Sequence, residues 1–210
     1  MVLDLDDTLY PEADYVASGA RAVAHHLADL YGVDCEAALL KDAARGGDWL
    51  AKACELAGLP AAAKPSFLWL YRLHPPSIGL SADTQAALDL LRGRCRQLVI
   101  LTDGRSVTQR LKLAALGMSD VPAYISEEWE SEKPDPRRFE QVMRDWPAER
   151  YVYVGDNAAK DFIGPNRLGW LTLGVRLGPA ALYANRPPDL AGDSQPAHWL
   201  GALSEVAAYL

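Results

Sequence analysis

Five short apolar runs, at residues 1–5, 97–102, 123–126, 151–155 and 171–177, alternate in their later part with helix-like stretches. Each run is rich in β-branched or aromatic residues and too short for a helix, so each reads as a buried strand. The intervening stretches 107–116, 136–144 and 160–168 carry apolar residues at three- and four-residue steps. Strand and helix in alternation predict an α/β fold, a doubly wound parallel sheet with helices on both faces and right-handed crossovers.

The alternation is interrupted between the first and second strands. That gap is rich in Ala and Leu, shows no strand pattern, and reads as a helical insertion. Helices are expected at 13–31, 35–44, 48–56, 65–73 and 82–91, broken by Gly32, Gly46-Gly47, Gly58-Leu59-Pro60 and His74-Pro75-Pro76. Ser81 is placed to cap the last of these, which is assigned to the core. The expected division is therefore a core of residues 1–12 and 79–210 with an inserted helical unit at 13–78. The Pro-, Gly- and Asp-rich stretch 178–196 reads as irregular loop before a final short helix at 198–210. The first strand supplies only Val2 and Leu3 before polar residues begin, short for an interior strand. The native start is accordingly expected upstream of Met1.

Composition narrows the function. Half the residues are hydrophobic and 23% are charged, the balance of a folded globular protein. A net charge of -7 opposes nucleic acid and anionic lipid, so any phosphate site must work by local charge. Cys35, Cys54 and Cys95 are odd in number and widely spaced, which argues for reduced thiols rather than a disulfide framework or a zinc site. No window approaches the ~18 apolar residues of a membrane span, and Asp4 comes too early for a signal peptide. A cytoplasmic protein without nucleic-acid or membrane partners is expected; its oligomeric state is left open.

The acidic residues are concentrated where ligands bind. Asp4-Leu5-Asp6-Asp7-Thr8 lies at the carboxyl end of the first strand, the edge at which open α/β sheets hold their ligands. Two carboxylates about 4 Å apart repel by roughly 4 kcal/mol at an effective dielectric near 20, so the cluster calls for a cation or a proton. Magnesium, a hard ion that takes carboxylates, carbonyls and waters, is the natural candidate. A second cluster, Gly155-Asp156-Asn157-Ala158-Ala159-Lys160-Asp161, follows another strand and offers further ligands. Between the two come Thr102-Asp103-Gly104 and Lys133-Pro134. Thr supplies a hydroxyl, and neighbouring backbone N–H groups and the Lys ammonium suit phosphate oxygens.

These four stretches, in this order and at strand ends, resemble the four motifs of the haloacid dehalogenase superfamily over nearly the whole chain. The first is Asp4, Asp6 and Thr8, the second Thr102, the third Lys133, and the fourth Gly155, Asp156 and Asp161. The resemblance implies a Rossmann-like core with a first-type helical cap between the first two motifs, hinged near Tyr10-Pro11 and His74-Pro75-Pro76. It implies a magnesium-dependent phosphatase in which Asp4 attacks phosphorus to form a phosphoaspartate and Asp6 serves as acid and then base. Thr102 and Lys133 would hold the phosphoryl oxygens, with Asp103 and Gly104 beside them. Magnesium would be held by the Asp4 carboxylate, the Asp6 carbonyl and Asp156, with Asp161 supporting them. The expected partner is a small soluble phosphomonoester, a sugar phosphate or a nucleotide.

Two positions depart from the pattern. Asp7 stands where the family often has Gly. Asp103 adds a carboxylate beside the phosphate site, acceptable if turned away or paired, for example with Arg105. A phosphomutase also fits the motifs. A dehalogenase uses the same nucleophile without metal or acid, which Asp6 argues against. A receiver-like phosphoacceptor conflicts with the order of the acidic residues and with the insertion; an inactive scaffold is the remaining non-enzymatic reading. His25, His26, His74 and His198 read as surface or packing residues, and Trp49, Trp69 and Tyr71 as the core of the insertion, with Trp49 a possible substrate contact.

Overall fold

Strand formation follows the apolar runs. The computed structural model describes residues 1–176 and 192–210. Six parallel strands, β1 (Val2–Leu3), β2 (Val99–Thr102), β3 (Ala123–Ile125), β4 (Val152–Gly155), β5 (Leu171–Val175) and β6 (His198–Leu200), form one sheet in the order β3-β2-β1-β4-β5-β6. Strand β1 is central, and its ladder with β4 is extended by the Asp4 N–H, which donates to the Val154 carbonyl at 2.9 Å. Because side chains alternate across a strand, Leu3, Ile100 and Val154 face one layer and Val2, Val99, Leu101 and Tyr153 the other. The first layer is closed by α5 (Ala82–Arg94) and α6 (Ser106–Ala115), through Leu88, Leu91 and Leu113. The second is closed by α8 (Arg137–Asp145), through Phe139 and Val142, and by Phe162, which precedes α9 (Ile163–Arg167). Helix α5 starts as expected, with Ser81 accepting the Thr84 N–H at 3.1 Å.

The named elements between β1 and α5 are all helical. Helices α1 (Glu12–Tyr31), α2 (Glu36–Ala44), α3 (Trp49–Leu56) and α4 (Lys64–Leu73) surround a core of their own, which includes Val23, Leu27, Leu39, Trp49, Leu50 and Phe67. Helix α1 buries Tyr15, Ala20, Val23, Ala24 and Leu27 and ends at Gly32, whose left-handed φ of 66° lets its N–H close on Ala28. Trp69 departs from its expected place. It is 55% exposed, with Arg72 over its ring, because α4 turns Phe67 rather than Trp69 inward. Cys35 and Cys54 are buried thiols and Cys95 is partly buried.

The carboxyl-terminal segment corrects a second expectation. Instead of one helix over 198–210, His198–Leu200 pairs with β5 as the edge strand and only Leu203–Tyr209 coils, as a 3₁₀ helix. Gly174 decides this. A Cβ there would lie 2.4 Å from the Trp199 ring, so a glycine on β5 lets Trp199 lie flat against the sheet. Of the expected irregular stretch, Gly192–Ser194 forms a 3₁₀ turn and residues 178–191 lie outside the described residues, as does Leu177 at the end of the fifth run. Two further elements differ in extent. The chain after β3 turns at once into the short helix α7 (Ser126–Trp129), and α9 begins at Ile163 because residues 156–162 are drawn into the site as a turn.

Candidate active site

The strand order brings the carboxyl ends of β1, β2 and β4 together, and a small pocket opens there, lined by Asp4, Asp6, Asp7, Glu12, Thr102, Asp103, Asp156, Asn157 and Lys160. Asp4, Asp156 and Asp161 each direct a carboxylate oxygen into a cluster whose atoms lie within 4.8 Å of one another. Behind them Lys133, arriving from the segment after β3, has a wholly buried side chain. Its Nζ donates to Asp4 Oδ1 at 2.8 Å and to the Tyr153 hydroxyl at 3.1 Å, and lies 2.6 Å from Asp161 Oδ1. Two hydrogen bonds and a close ion pair already surround Nζ, which is wholly buried, so these partners stand between it and a phosphoryl oxygen in the pocket.

Asp161 holds the turn after β4. Its Oδ2 accepts the backbone N–H groups of Asp156 at 3.1 Å and Asn157 at 2.7 Å. Gly155 is required by this contact, since a Cβ there would lie 2.6 Å from Asp161 Oδ2. Asp156 keeps one buried oxygen, Oδ2, without a hydrogen-bond partner. Burial first, then the Asp161 and Asp4 charges, push the Asp156 carboxyl up to about 9. Burial likewise raises Asp4 to about 6, against the pull of Lys133. Fully ionised, the three carboxylates around one ammonium would carry a formal charge of -2, which the raised Asp156 and Asp4 values show to be costly without a cation. An orphaned buried carboxylate oxygen, hard donors and this charge fit a divalent cation such as magnesium.

Asp6 is engaged differently. Its carboxylate accepts from Lys112 Nζ at 2.8 and 2.9 Å, from Gln109 Nε2 at 3.0 Å and from the Tyr10 hydroxyl. Burial alone would raise its pKa, but Lys112 and these hydrogen bonds outweigh that and hold it below the ordinary range. Gln109 also donates to Thr102 Oγ1 at 2.7 Å, joining Asp6 to the end of β2. Asp7 takes a left-handed φ of 54°, which explains why Gly suits its position, and its carboxylate accepts the Glu12 N–H at 2.8 Å at the start of α1.

Asp103 is paired, though not with Arg105, which bonds Glu127 at 2.7 Å on the surface. Its Oδ1 accepts from the buried Arg138 guanidinium and from the Lys133 N–H at 3.2 Å, and its Oδ2 faces Lys160 Nζ at 3.3 Å. Arg138 also donates to the Thr102 and Tyr124 carbonyls at 2.8 and 3.1 Å. Gly104 lies outside the pocket lining, with its N–H on Ser126 Oγ at 2.9 Å. Trp49 is also outside it, packed edge-on against Tyr71. His74 is a packing residue, bonded to Ser18 and Tyr71, and His198 sits exposed on β6 against Tyr209.

Sequence reasoning assigned no role to Lys112, Gln109, Arg138, Tyr153, Glu12 or Lys160. One signal was present for the first three. On α6 the buried face reads Thr108, Gln109, Lys112, Leu113, and on α8 Arg138 adjoins Phe139 and Val142, so polar groups occupy inward positions that an apolar stripe normally fills.

A family model described as haloacid dehalogenase-like hydrolase matches residues 1–169. The chain is 38% identical over 100 residues to a glyceraldehyde 3-phosphate phosphatase from Methanopyrus kandleri, a match covering 46% of this chain and 43% of that protein. The matched stretch is thus less than half of that relative. Among solved structures, the chain resembles a HAD phosphatase from Thermococcus onnurineus, with TM-score 0.61, 22% identity and coverage of 99% of this chain and 95% of that one. It also resembles a 2-haloacid dehalogenase from Pseudomonas syringae pv. Tomato, with TM-score 0.64, 21% identity and coverage of 99% and 95%. At these identities the solved structures speak to the fold.

Proposed function

The chain belongs to the haloacid dehalogenase-like hydrolase family, and from that premise we propose that it is a cytoplasmic, magnesium-dependent phosphatase acting on small soluble phosphomonoesters through a phosphoaspartate on Asp4. The observation that carries the reading is the buried Asp4–Asp156–Asp161 cluster around Lys133, three acids to one ammonium, with its orphaned Asp156 oxygen. Asp4, the Asp6 carbonyl and Asp156 would hold magnesium, with Asp161 fixing the turn that presents Asp156. When bound, the ion supplies positive charge to the nucleophile and the phosphoryl oxygens.

Lys133 steadies Asp4 through Oδ1, leaving Oδ2 to attack phosphorus in line as the bond to the ester oxygen breaks. Asp6 gives its proton to the departing alkoxide. The resulting carboxylate then takes a proton from the water that attacks the phosphoaspartate, releasing inorganic phosphate and restoring Asp4. Lys112 and Tyr10 hold Asp6 ionised in the resting site, the form needed for the second step. A phosphate dianion arriving beside it raises its affinity for the proton needed in the first. Thr102 receives the phosphoryl oxygens, and Asp103 and Gly104 shape the turn beside it.

Residues 13–78 act as a cap over this edge, crossing at Tyr10-Pro11 and His74-Pro75-Pro76, and Glu12, the first residue of α1 just ahead of them, stands on the pocket wall. Closure over so small a pocket favours a compact leaving group. The partial match to a glyceraldehyde 3-phosphate phosphatase makes a triose phosphate the first ester to try. Phosphate release from a panel of sugar phosphates and nucleotides, with magnesium, with EDTA and with Asp4→Asn, tests the proposal. Magnesium-dependent release abolished by the substitution is expected; no release from any ester refutes it.

A further inference from the structure

We propose that Lys160 binds the substrate's phosphoryl group, held over the pocket by Asp103; this rests on the phosphatase reading above. The site's cations fall into two kinds. Lys133 lies between Asp4 and Asp161, Lys112 grips both oxygens of Asp6, and Arg138 is buried against Asp103. Each of these cations pairs with carboxylates while itself standing outside the pocket lining, to which Asp4, Asp6 and Asp103 belong. Among the described residues lining the pocket, Asp4, Asp6, Asp7, Glu12, Asp103 and Asp156 are acidic and Lys160 is the single cation. A phosphate dianion entering such a pocket needs a positive group with donors to spare, besides any metal.

Lys160 has them. Its Nζ makes one polar contact among the described residues, 3.3 Å to Asp103 Oδ2, and its side chain is 34% exposed toward the pocket mouth. An ammonium carries three donors, so two remain for phosphoryl oxygens. Asp103 is itself pinned through its other oxygen by Arg138 and the Lys133 N–H, so it tethers the Lys160 stem without drifting. The carboxylate that looked repulsive in sequence becomes the anchor of the phosphate-binding cation. Lys160 also sits within the turn that Asp161 holds through the Asp156 and Asn157 N–H groups, which links the cation to the metal-facing residues through one rigid segment.

The test uses the whole protein with magnesium, glyceraldehyde 3-phosphate, a phenyl phosphate, and inorganic phosphate as a competitive inhibitor. Lys160→Met and Lys160→Gln are expected to raise KM for both esters and Ki for phosphate by about tenfold to a hundredfold, the loss of one charge-assisted hydrogen bond. Lys160→Arg should restore most of that affinity, and kcat should fall less than the affinity does. Unchanged KM and Ki in folded Lys160→Met overturn the proposal. Wild-type protein gives a second reading that does not depend on a variant folding: lysine acetylation mapped by mass, with and without magnesium and inorganic phosphate. Selective protection of Lys160 supports the assignment, and equal labelling under both conditions overturns it. Wild type inactive on every ester refutes the phosphatase reading, whereas active wild type with an indifferent Lys160→Met refutes only this one.

Discussion

The ammonium of Lys112 lies 2.8 and 2.9 Å from the two carboxylate oxygens of Asp6, and 4.2 Å from the centre of the Tyr15 ring. One buried cation thus joins the loop after β1, the core helix α6 and the first helix of the insertion. Removing one partner of a buried pair leaves the other charge uncompensated, which costs about 3–5 kcal/mol. Asp6 keeps 19% of its side chain in solvent, so Lys112→Met is expected near the low end, about 3 kcal/mol by urea unfolding. Adding Asp6→Asn should recover part of that loss. Strictly additive single-variant losses would show that the two groups are not coupled.

Metal binding predicts a stability change that needs no substrate. Because Asp156 Oδ2 is buried without a partner, magnesium should raise the melting temperature of the wild type, by an amount equivalent to about 2.7 kcal/mol at a hundred times its Kd. Chelation by EDTA should reverse the rise. Asp156→Asn should be at least as stable as the metal-free wild type and show little or no magnesium-induced shift. A full shift in that variant would place the ion elsewhere.

His74 gives a pH dependence remote from the metal-facing acids. Its Nδ1 is 2.6 Å from the Tyr71 carbonyl and its Nε2 is 2.9 Å from Ser18 Oγ, with Tyr15 and Tyr71 against the ring. Burial lowers its pKa from the ordinary 6.5, the Tyr71 carbonyl opposes this, and Lys112 adds to the lowering. The unfolded chain therefore takes up a proton more readily than the fold does. The stability His74 contributes is present above pH 6.5 and is lost as pH falls through its lower folded value. Unfolding free energies of wild type and His74→Gln should differ most at neutral pH and converge on acidification. A constant gap would refute this sign.

The sequence by itself determined five of the six strands, because strand runs and helix stripes are local patterns that repeat every two or every three to four residues. The Asp4, Asp6, Thr102, Lys133, Asp156 and Asp161 positions were legible too, since each lies at or just beyond an element end. The last element was not. Residues 198–210 read as helix until β5 offered an edge and Gly174 made room for Trp199. The partners of the acids were equally hidden. Lys112 reaches Asp6 across 106 residues of sequence and Arg138 reaches Asp103 across 35, and no local pattern encodes such distances. Only tertiary packing decided which cation is buried against which carboxylate, and so which one, Lys160, was left facing the pocket. The physical reason is desolvation: a buried charge is costly unless an opposite charge meets it, and that meeting is settled by the packed chain rather than by neighbours in sequence.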